Sequence, residues 1–227
     1  MPEAITIAID GPAASGKGTV ARRVAAELGY AYIDTGAMYR AVGQGVLDAA
    51  GDPSAPEPAT SIALRLRFGF DWHGGQLRVL VDGVDVTTRI RTEAAGRAAS
   101  AVAVHPGVRA ALLQTQRDLG AGGGVVMDGR DIGTVVLPDA HLKIFLDADL
   151  DERARRRAAE HPETRFEDIR RDLASRDAQD SGRATAPLCA AVDAVHVDST
   201  HLPIDGVVAA VLEAARARIG ATVDTAH

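Results

Sequence analysis

Five short apolar runs divide the chain: Ile5 to Ile9, Ala31 to Ile33, Val125 to Met127, Leu142 to Leu146 and Ala194 to Val197. Their apolar residues are nearly continuous rather than alternating, the pattern of strands covered on both faces of a parallel sheet. Between the runs the period changes. Val20, Val24 and Leu28 recur at four-residue spacing, and Val207, Val208, Val211, Leu212 and Ala215 form a helical stripe near the C-terminus. Strands alternating with helices predict right-handed βαβ crossovers, and hence an α/β fold with a five-stranded parallel sheet flanked by helices.

Two segments break the alternation, both between predicted core strands, where such scaffolds accept functional insertions. In the first, residues 52–105, Pro53, Pro56 and Pro58 read as chain breaks. Arg67 to Phe70 and Leu77 to Asp82 then flank Trp72-His73-Gly74-Gly75-Gln76 as the arms of a β-hairpin, so a small accessory β-sheet is expected there. The second segment, residues 149–187, opens with Asp149 and Glu152 spaced as a capping box. From Arg153 to Arg183 it carries nine arginines against seven acids, in a chain whose formal net charge is −6. That contrast points to an anion-facing lid whose arginines await phosphate partners; a solvated helix laced with i,i+4 ion pairs would share the composition. Residues 1–51, 106–148 and 188–227 make up the predicted core.

The negative net charge offers no long-range field for nucleic acid or an anionic membrane, so any anion site has to be built locally. Hydrophobic residues are 46% of the chain and aromatics 4%, which fits a core of Ala, Val, Leu and Ile rather than an aromatic-rich sandwich. Met1-Pro2-Glu3-Ala4 enters the first apolar run without the basic flank and apolar stretch of a signal peptide, and no run has the length of a membrane span. A cytoplasmic monomer without nucleic-acid or membrane partners is expected. The one cysteine, Cys189, excludes an internal disulfide and a multi-cysteine zinc cage, and is read as a small packed residue. The seven histidines lack metal-ligand spacing.

Residues 11–19 read Gly11-Pro12-Ala13-Ala14-Ser15-Gly16-Lys17-Gly18-Thr19, after a predicted strand and before a predicted helix, the context a phosphate-binding P-loop requires. Glycines let successive backbone N–H groups turn inward around phosphate oxygens, and the helix adds its positive end. Lys17 supplies a mobile point charge. Its identity is informative, because the chain holds 23 arginines but only two lysines, Lys17 and Lys143, and a compact ammonium fits where a planar guanidinium would not. Gly18 stands where the general motif has Ser or Thr, and the hydroxyl follows at Thr19. Magnesium is therefore expected to be held mostly by phosphates and water, with Thr19 and Asp128 as the candidate protein contacts.

Beyond this loop the chain carries Asp34-Thr35-Gly36-Ala37-Met38-Tyr39-Arg40-Ala41, Asp128-Gly129-Arg130-Asp131-Ile132-Gly133-Thr134-Val135-Val136 and Arg176-Asp177-x-x-Asp180-Ser181-x-Arg183-x-x-Ala186-Pro187-Leu188. With these blocks in order over nearly its whole length, the sequence resembles the bacterial cytidylate kinase family of nucleoside monophosphate kinases. The resemblance implies a P-loop NTPase core, an acceptor-binding insertion with a small β-sheet and a mobile helical lid. It also implies ATP as phosphate donor, Mg²⁺, and CMP or dCMP as acceptor. By that resemblance Arg40 and Arg130 meet the acceptor phosphate, Thr35, Arg176 and Asp180 the ribose, and Ser100, Arg109 and Asp131 the cytosine.

Phosphoryl transfer spreads charge over the moving group, so the expected contributors are positive side chains: Lys17, Arg130, Arg153, Arg157 and Arg183. Arg176, Asp180 and Arg183 at i, i+4 and i+7, and Arg153 with Arg157, are expected to share helical faces. Two other readings use the P-loop: a kinase for another small acceptor, such as AMP or shikimate, and a nucleotide-dependent switch. The first has no use for Asp131, and the second none for two arginine-bearing acceptor motifs.

Overall fold

The computed structural model describes residues 4–73 and 76–224. In chain order its elements are β1 (Thr6–Asp10), α1 (Lys17–Leu28), β2 (Ala31–Asp34), α2 (Thr35–Asp48), α3 (Pro56–Arg65), β3 (Phe68–His73), β4 (Gln76–Val81), β5 (Val84–Asp85), α4 (Glu93–Val102) and α5 (Pro106–Gly120). They continue with β6 (Val125–Gly129), a π-helical turn at Ile132–Val136, β7 (Leu142–Asp147), α6 (Leu150–Glu160), α7 (Phe166–Ser181), β8 (Val195–Asp198) and α8 (Ile204–Asp224). The chain divides into two compact units, Met1–Tyr32 with Gly122–His227, and Ile33–Ala121.

The first unit is built on the five predicted strands, which form one parallel sheet in the order β2-β6-β1-β7-β8. Strand β1 lies at its centre, with Ile5, Ile7 and Ile9 fully buried as the continuous apolar run requires. Val20 and Val24 of α1 and Val207, Val211 and Ala215 of α8 are buried too. The register sets Asp10 opposite Gly129 of β6 and Phe145 of β7. The segments that leave the carboxyl ends of these strands are therefore neighbours, the place where open α/β sheets bind ligands.

The second unit packs α2 on α4 and α3 on α5 around Met38, Val42, Val46, Ala59, Ala63, Val102, Val108 and Leu112. Gly43 makes the α2–α4 approach possible, since a Cβ there would lie 2.8 Å from the Cβ of Ala98. Strands β3, β4 and β5 form the small antiparallel sheet, and Ala37, Ala41, Val79 and Ile90 join it to α2. This unit is wider than the insertion expected at 52–105, because α2 and α5 bury their apolar faces with α4 and α3.

Three local expectations are corrected. Pro56 and Pro58 do not break the chain but lie in the first turn of α3, where a missing N–H costs nothing. Asp149 precedes α6 without a side-chain cap bond; Glu152 instead accepts from Arg155 and Arg156. Cys189 is exposed rather than packed. The hairpin forms with His73 opposite Gln76, while Gly74 and Gly75, called as its turn, lie outside the described residues.

Candidate active site

The phosphate loop leaves β1 at Asp10 and enters α1 at Lys17. Ala14 (φ 59°) and Gly16 (φ 87°) take left-handed backbone, which turns neighbouring N–H groups to one side as an anion nest. Gly16 has no side chain to cap α1, so the positive end of the helix is not neutralised there. At Gly11 a Cβ would lie 2.0 Å from the carbonyl oxygen of Leu146, so β7 presses on the loop and sets its path. Lys17 is buried, and its Nζ donates to the Pro12 carbonyl at 3.0 Å. Pro12, Ala13 and Ser15 are buried, whereas Thr19 is exposed on α1.

On the neighbouring strand, β6 delivers Asp128, Arg130 and Asp131. Asp128 is buried and accepts from the Tyr32 hydroxyl at 2.8 Å. The segment after β6 is fixed by Asp10, a residue the sequence reading passed over. Asp10 Oδ1 accepts from Ile132 N at 2.8 Å and Oδ2 from Gly133 N at 2.7 Å, and these bonds anchor the π-helical turn that follows Asp131. Burial pushes the Asp10 carboxyl up to about 6, although the two backbone donors pull the other way.

Arg130 donates from Nε to Asp180 at 2.8 Å and from Nη1 to the Gly129 carbonyl at 3.2 Å. Burial alone would raise the Asp180 carboxyl, but Arg130, Arg183 and Arg176 outweigh it and hold it below the ordinary range. The structure thus brings Arg130, Asp180 and Arg183 together; Arg176 and Asp180 share a face of α7 as expected, but Arg183 lies beyond its end. Helix α7 ends at Ser181, and Arg183 folds back past Gly182 to donate to the Asp180 carbonyl at 3.2 Å.

Arg153 and Arg157 lie four residues apart on α6, as expected, but differ in burial. Arg153 is buried and donates to the carbonyls of Ala148 (2.8 Å) and Ala13 (3.2 Å), with Asp177 at 2.7 Å. It ties α6 to α7 and to the phosphate loop, beside the apolar cluster of Ala13, Ala154, Ile169 and Leu173. Arg157 pairs with Glu160 at the surface. Arg156, not singled out from the sequence, donates to the Ser199 hydroxyl (3.0 Å), the Ser199 carbonyl (2.6 Å) and the Ser15 carbonyl (3.4 Å). The expectation that the arginines of 149–187 await phosphate partners is corrected, since Arg153, Arg165, Arg170 and Arg171 all hold carboxylates.

In the second unit Asp34 does double duty, unnoticed in the sequence. Its Oδ1 caps α2 by accepting from Ala37 N at 3.0 Å, and its Oδ2 holds Arg40 at 2.5 Å. A Cβ on Gly36 would lie 3.1 Å from Asp34 Oδ1 and 3.3 Å from Arg40 Nη1, so glycine leaves room for the pair. Thr35 is buried at the start of α2. Arg109 is buried, lies 5.6 Å over the Tyr39 ring and donates to the Ala103 carbonyl at 3.3 Å. The Ser100 hydroxyl turns back to the Gly96 carbonyl at 3.4 Å.

Among the described residues no cluster of three or more His, Cys, Asp or Glu side chains forms a metal cage, and no helix is long and apolar enough to cross a membrane. The family model for cytidylate kinase matches residues 7–217. A cytidylate kinase of Geobacillus kaustophilus (strain HTA426) is 51% identical, over 97% of this chain and 100% of that protein. One of Enterococcus faecalis (strain ATCC 700802 / V583) is 47% identical, over 91% and 93%. A bifunctional pantoate ligase/cytidylate kinase of Synechococcus sp. (strain RCC307) is 49% identical, over 91% of this chain and 41% of that protein.

Proposed function

Since the chain belongs to the cytidylate kinase family, we propose that it transfers the γ-phosphate of ATP to CMP by means of the side chains described above. One observation carries the reading. The phosphate loop follows β1, the Arg130–Asp131 pair follows the adjacent β6, and Asp10 binds the second segment to the end of the first strand. A donor-phosphate cradle and an arginine–carboxylate pair are thereby held next to one another.

In this reading the nest and Lys17 bind the donor phosphates, and Lys17 follows the charge that develops on the β and γ oxygens. Arg40 and Arg130 take the acceptor phosphate, as planar forks suited to a dianion. Asp34 and Asp180 aim them. Thr35, Arg176 and Asp180 are assigned the ribose, and Ser100, Arg109 and Asp131 the base. Arg157 and Arg183 supply charge to the moving phosphoryl group, while the bonds of Arg153 support a positioning part beneath the loop. Residues 149–187 act as the lid that excludes water, residues 52–105 belong to the acceptor insertion, and the rest forms the core.

The residues fit a magnesium ion that keeps most of its own water. Asp128 is a buried carboxylate beside the loop, and its Oδ2 lies 3.9 Å from where a Cβ on Gly18 would be. When bound, such an ion neutralises charge on the phosphate oxygens. Thr19, being exposed, is the weaker of the two contacts considered. A cytoplasmic monomer completes the reading.

The test is ADP formation from ATP with Mg²⁺ and a panel of CMP, dCMP, UMP and AMP. Turnover should depend on the acceptor and favour CMP over UMP. An ionised Asp131 accepts from the cytosine amino group, whereas uracil presents a second acceptor there. Equal ADP formation without any acceptor would indicate a switch or hydrolase instead.

A further inference from the structure

Gly18 occupies the position that most phosphate loops give to a hydroxyl, and the structure places another hydroxyl in that space. A Cβ built on Gly18 would lie 3.3 Å from the Tyr32 hydroxyl oxygen and 3.9 Å from Asp128 Oδ2. Tyr32 comes from β2, is 6% exposed, and donates its proton to Asp128 Oδ1 at 2.8 Å. Asp128 is 5% exposed. A buried tyrosine needs a partner for its hydroxyl, and here it donates to the carboxylate of Asp128, beside position 18. The bond engages one carboxylate oxygen and turns the other toward the loop.

We infer that Tyr32 is a positioning residue for the donor site: its hydroxyl stands in for the missing side chain at position 18 and orients Asp128 toward the hydrated magnesium ion of the ATP complex. The inference rests on the reading of Asp128 given above. It explains why a loop without Ser or Thr at that place keeps a polar wall, and why a side chain there would crowd the tyrosine hydroxyl. With Tyr32 present, a side chain at 18 and the tyrosine hydroxyl compete for one space. Partners that orient a group at a metal are worth roughly 10- to 100-fold in metal affinity or activity.

Calorimetric titration of a non-hydrolysable ATP analogue, with and without Mg²⁺, reads the role directly as the ratio of the two dissociation constants. In Tyr32→Phe the magnesium-dependent gain should fall roughly 10-fold or more, with magnesium-free affinity unchanged. Gly18→Ser in the Tyr32→Phe background should recover part of the gain, because the space has been vacated; Gly18→Ser alone should weaken binding with or without the metal. An unchanged ratio in Tyr32→Phe overturns the proposal, as does a parallel loss of both affinities, which is what a purely structural tyrosine would give. Asp128→Asn separates the layers. If it lowers the ratio while Tyr32→Phe does not, the tyrosine alone is misassigned; if it too leaves the ratio unchanged, the reading of Asp128 fails and the proposal with it.

Discussion

The phosphate loop draws its positive potential from the backbone and the buried Lys17, whereas residues 149–187 draw theirs from side chains that already hold anions. In the loop the left-handed Ala14 and Gly16, the start of α1 and the pressure of Leu146 on Gly11 fix the donors before any phosphate arrives. In the arginine-rich segment Arg153 holds Asp177, Arg156 holds Glu152, Arg165 and Arg171 share Asp168, and Arg170 holds Asp151. On the proposed reading the backbone donors of the loop receive a phosphate in place, while Lys17 exchanges the Pro12 carbonyl for it. An arginine of the second kind has to exchange a carboxylate for a phosphate, so it contributes only the difference between two ion pairs. In that reading, a rigid cradle suits the donor, which is the same in every cycle, and exchangeable pairs suit a lid that must also open.

The largest expected effect tests the rigid side. Lys17→Ala removes the side-chain charge that the loop itself carries, and turnover should fall by as much as ~10³-fold, the scale found when one preorganised donor to a developing anion is lost. Calorimetric titration of CMP should give an affinity close to that of the parent, because the loop is assigned to the donor alone. If CMP affinity collapses in a folded Lys17→Ala protein, the division between donor and acceptor groups is wrong.

The next effect tests the exchangeable side. Asp180→Ala leaves Arg130 and Arg183 without their carboxylate, and breaking a largely buried pair by removing one partner should cost about 3 kcal/mol, read by urea denaturation at pH 7. The pH dependence has a definite sign. The Asp180 carboxyl is depressed in the folded protein, so its contribution is present above the ordinary aspartate range and is lost as the pH falls through the folded value. Parent and variant should therefore converge in acid. A variant as stable as the parent at pH 7 would mean that Arg130 does not depend on its carboxylate.

An effect of comparable size and opposite sign belongs to Asp10, which precedes the phosphate loop and holds the segment after β6. Its carboxyl is raised from 3.8 to about 6 by burial. Folding thus favours the protonated form, and the associated stability is complete below the ordinary value and lost as the pH rises through about 6. The loss should be on the order of 3 kcal/mol across that window, and Asp10→Asn should flatten that part of the profile. The same variant sets an amide N–H₂ against one of the two backbone donors, so it should also be less stable at low pH. A parent profile with no decline between pH 4 and 6 would show that the backbone donors outweigh burial.

The sequence carried the five strands, the phosphate loop and the hairpin arms, because each is declared by local pattern: continuous apolar runs, a glycine spacing, a turn between alternating positions. What it hid was the partner of each charge. Asp10, Asp34 and Tyr32 act on residues whose identities were legible, but Asp10 and Tyr32 meet theirs across long stretches of chain at Ile132, Gly133 and Asp128. Only Asp34 gave a local sign, as a capping residue ahead of α2. Helical spacing misjudged Arg183, because α7 ends before it at Ser181, and it gave no sign of burial elsewhere. It placed Arg153 and Arg157 on one face, but burial separates them, since Arg153 can be desolvated only because Asp177 and two carbonyls from elsewhere meet it.

Arg157 marks the limit of the comparison, because among these arginines it has the least to lose by exchange. Its pair with Glu160 is one turn away on the same helix at 3.1 Å, with the two side chains 43% and 64% exposed. Such pairs gain little in water, so Arg157→Ala should change stability by no more than about 0.5 kcal/mol. Arg156→Ala, by contrast, should cost about 1–3 kcal/mol, since it strips Ser199 and Ser15 of a charged donor. The contrast isolates function from folding one residue apart. If Arg157 reaches the moving phosphoryl group, its replacement must appear in kcat while thermal stability and the KM for CMP stay close to the parent, and Arg157→Lys should restore part of the rate by returning the charge without the fork. A kcat equal to that of the parent would remove Arg157 from the transfer step and leave it as a surface ion pair, with Arg183 as the remaining arginine assigned to that charge.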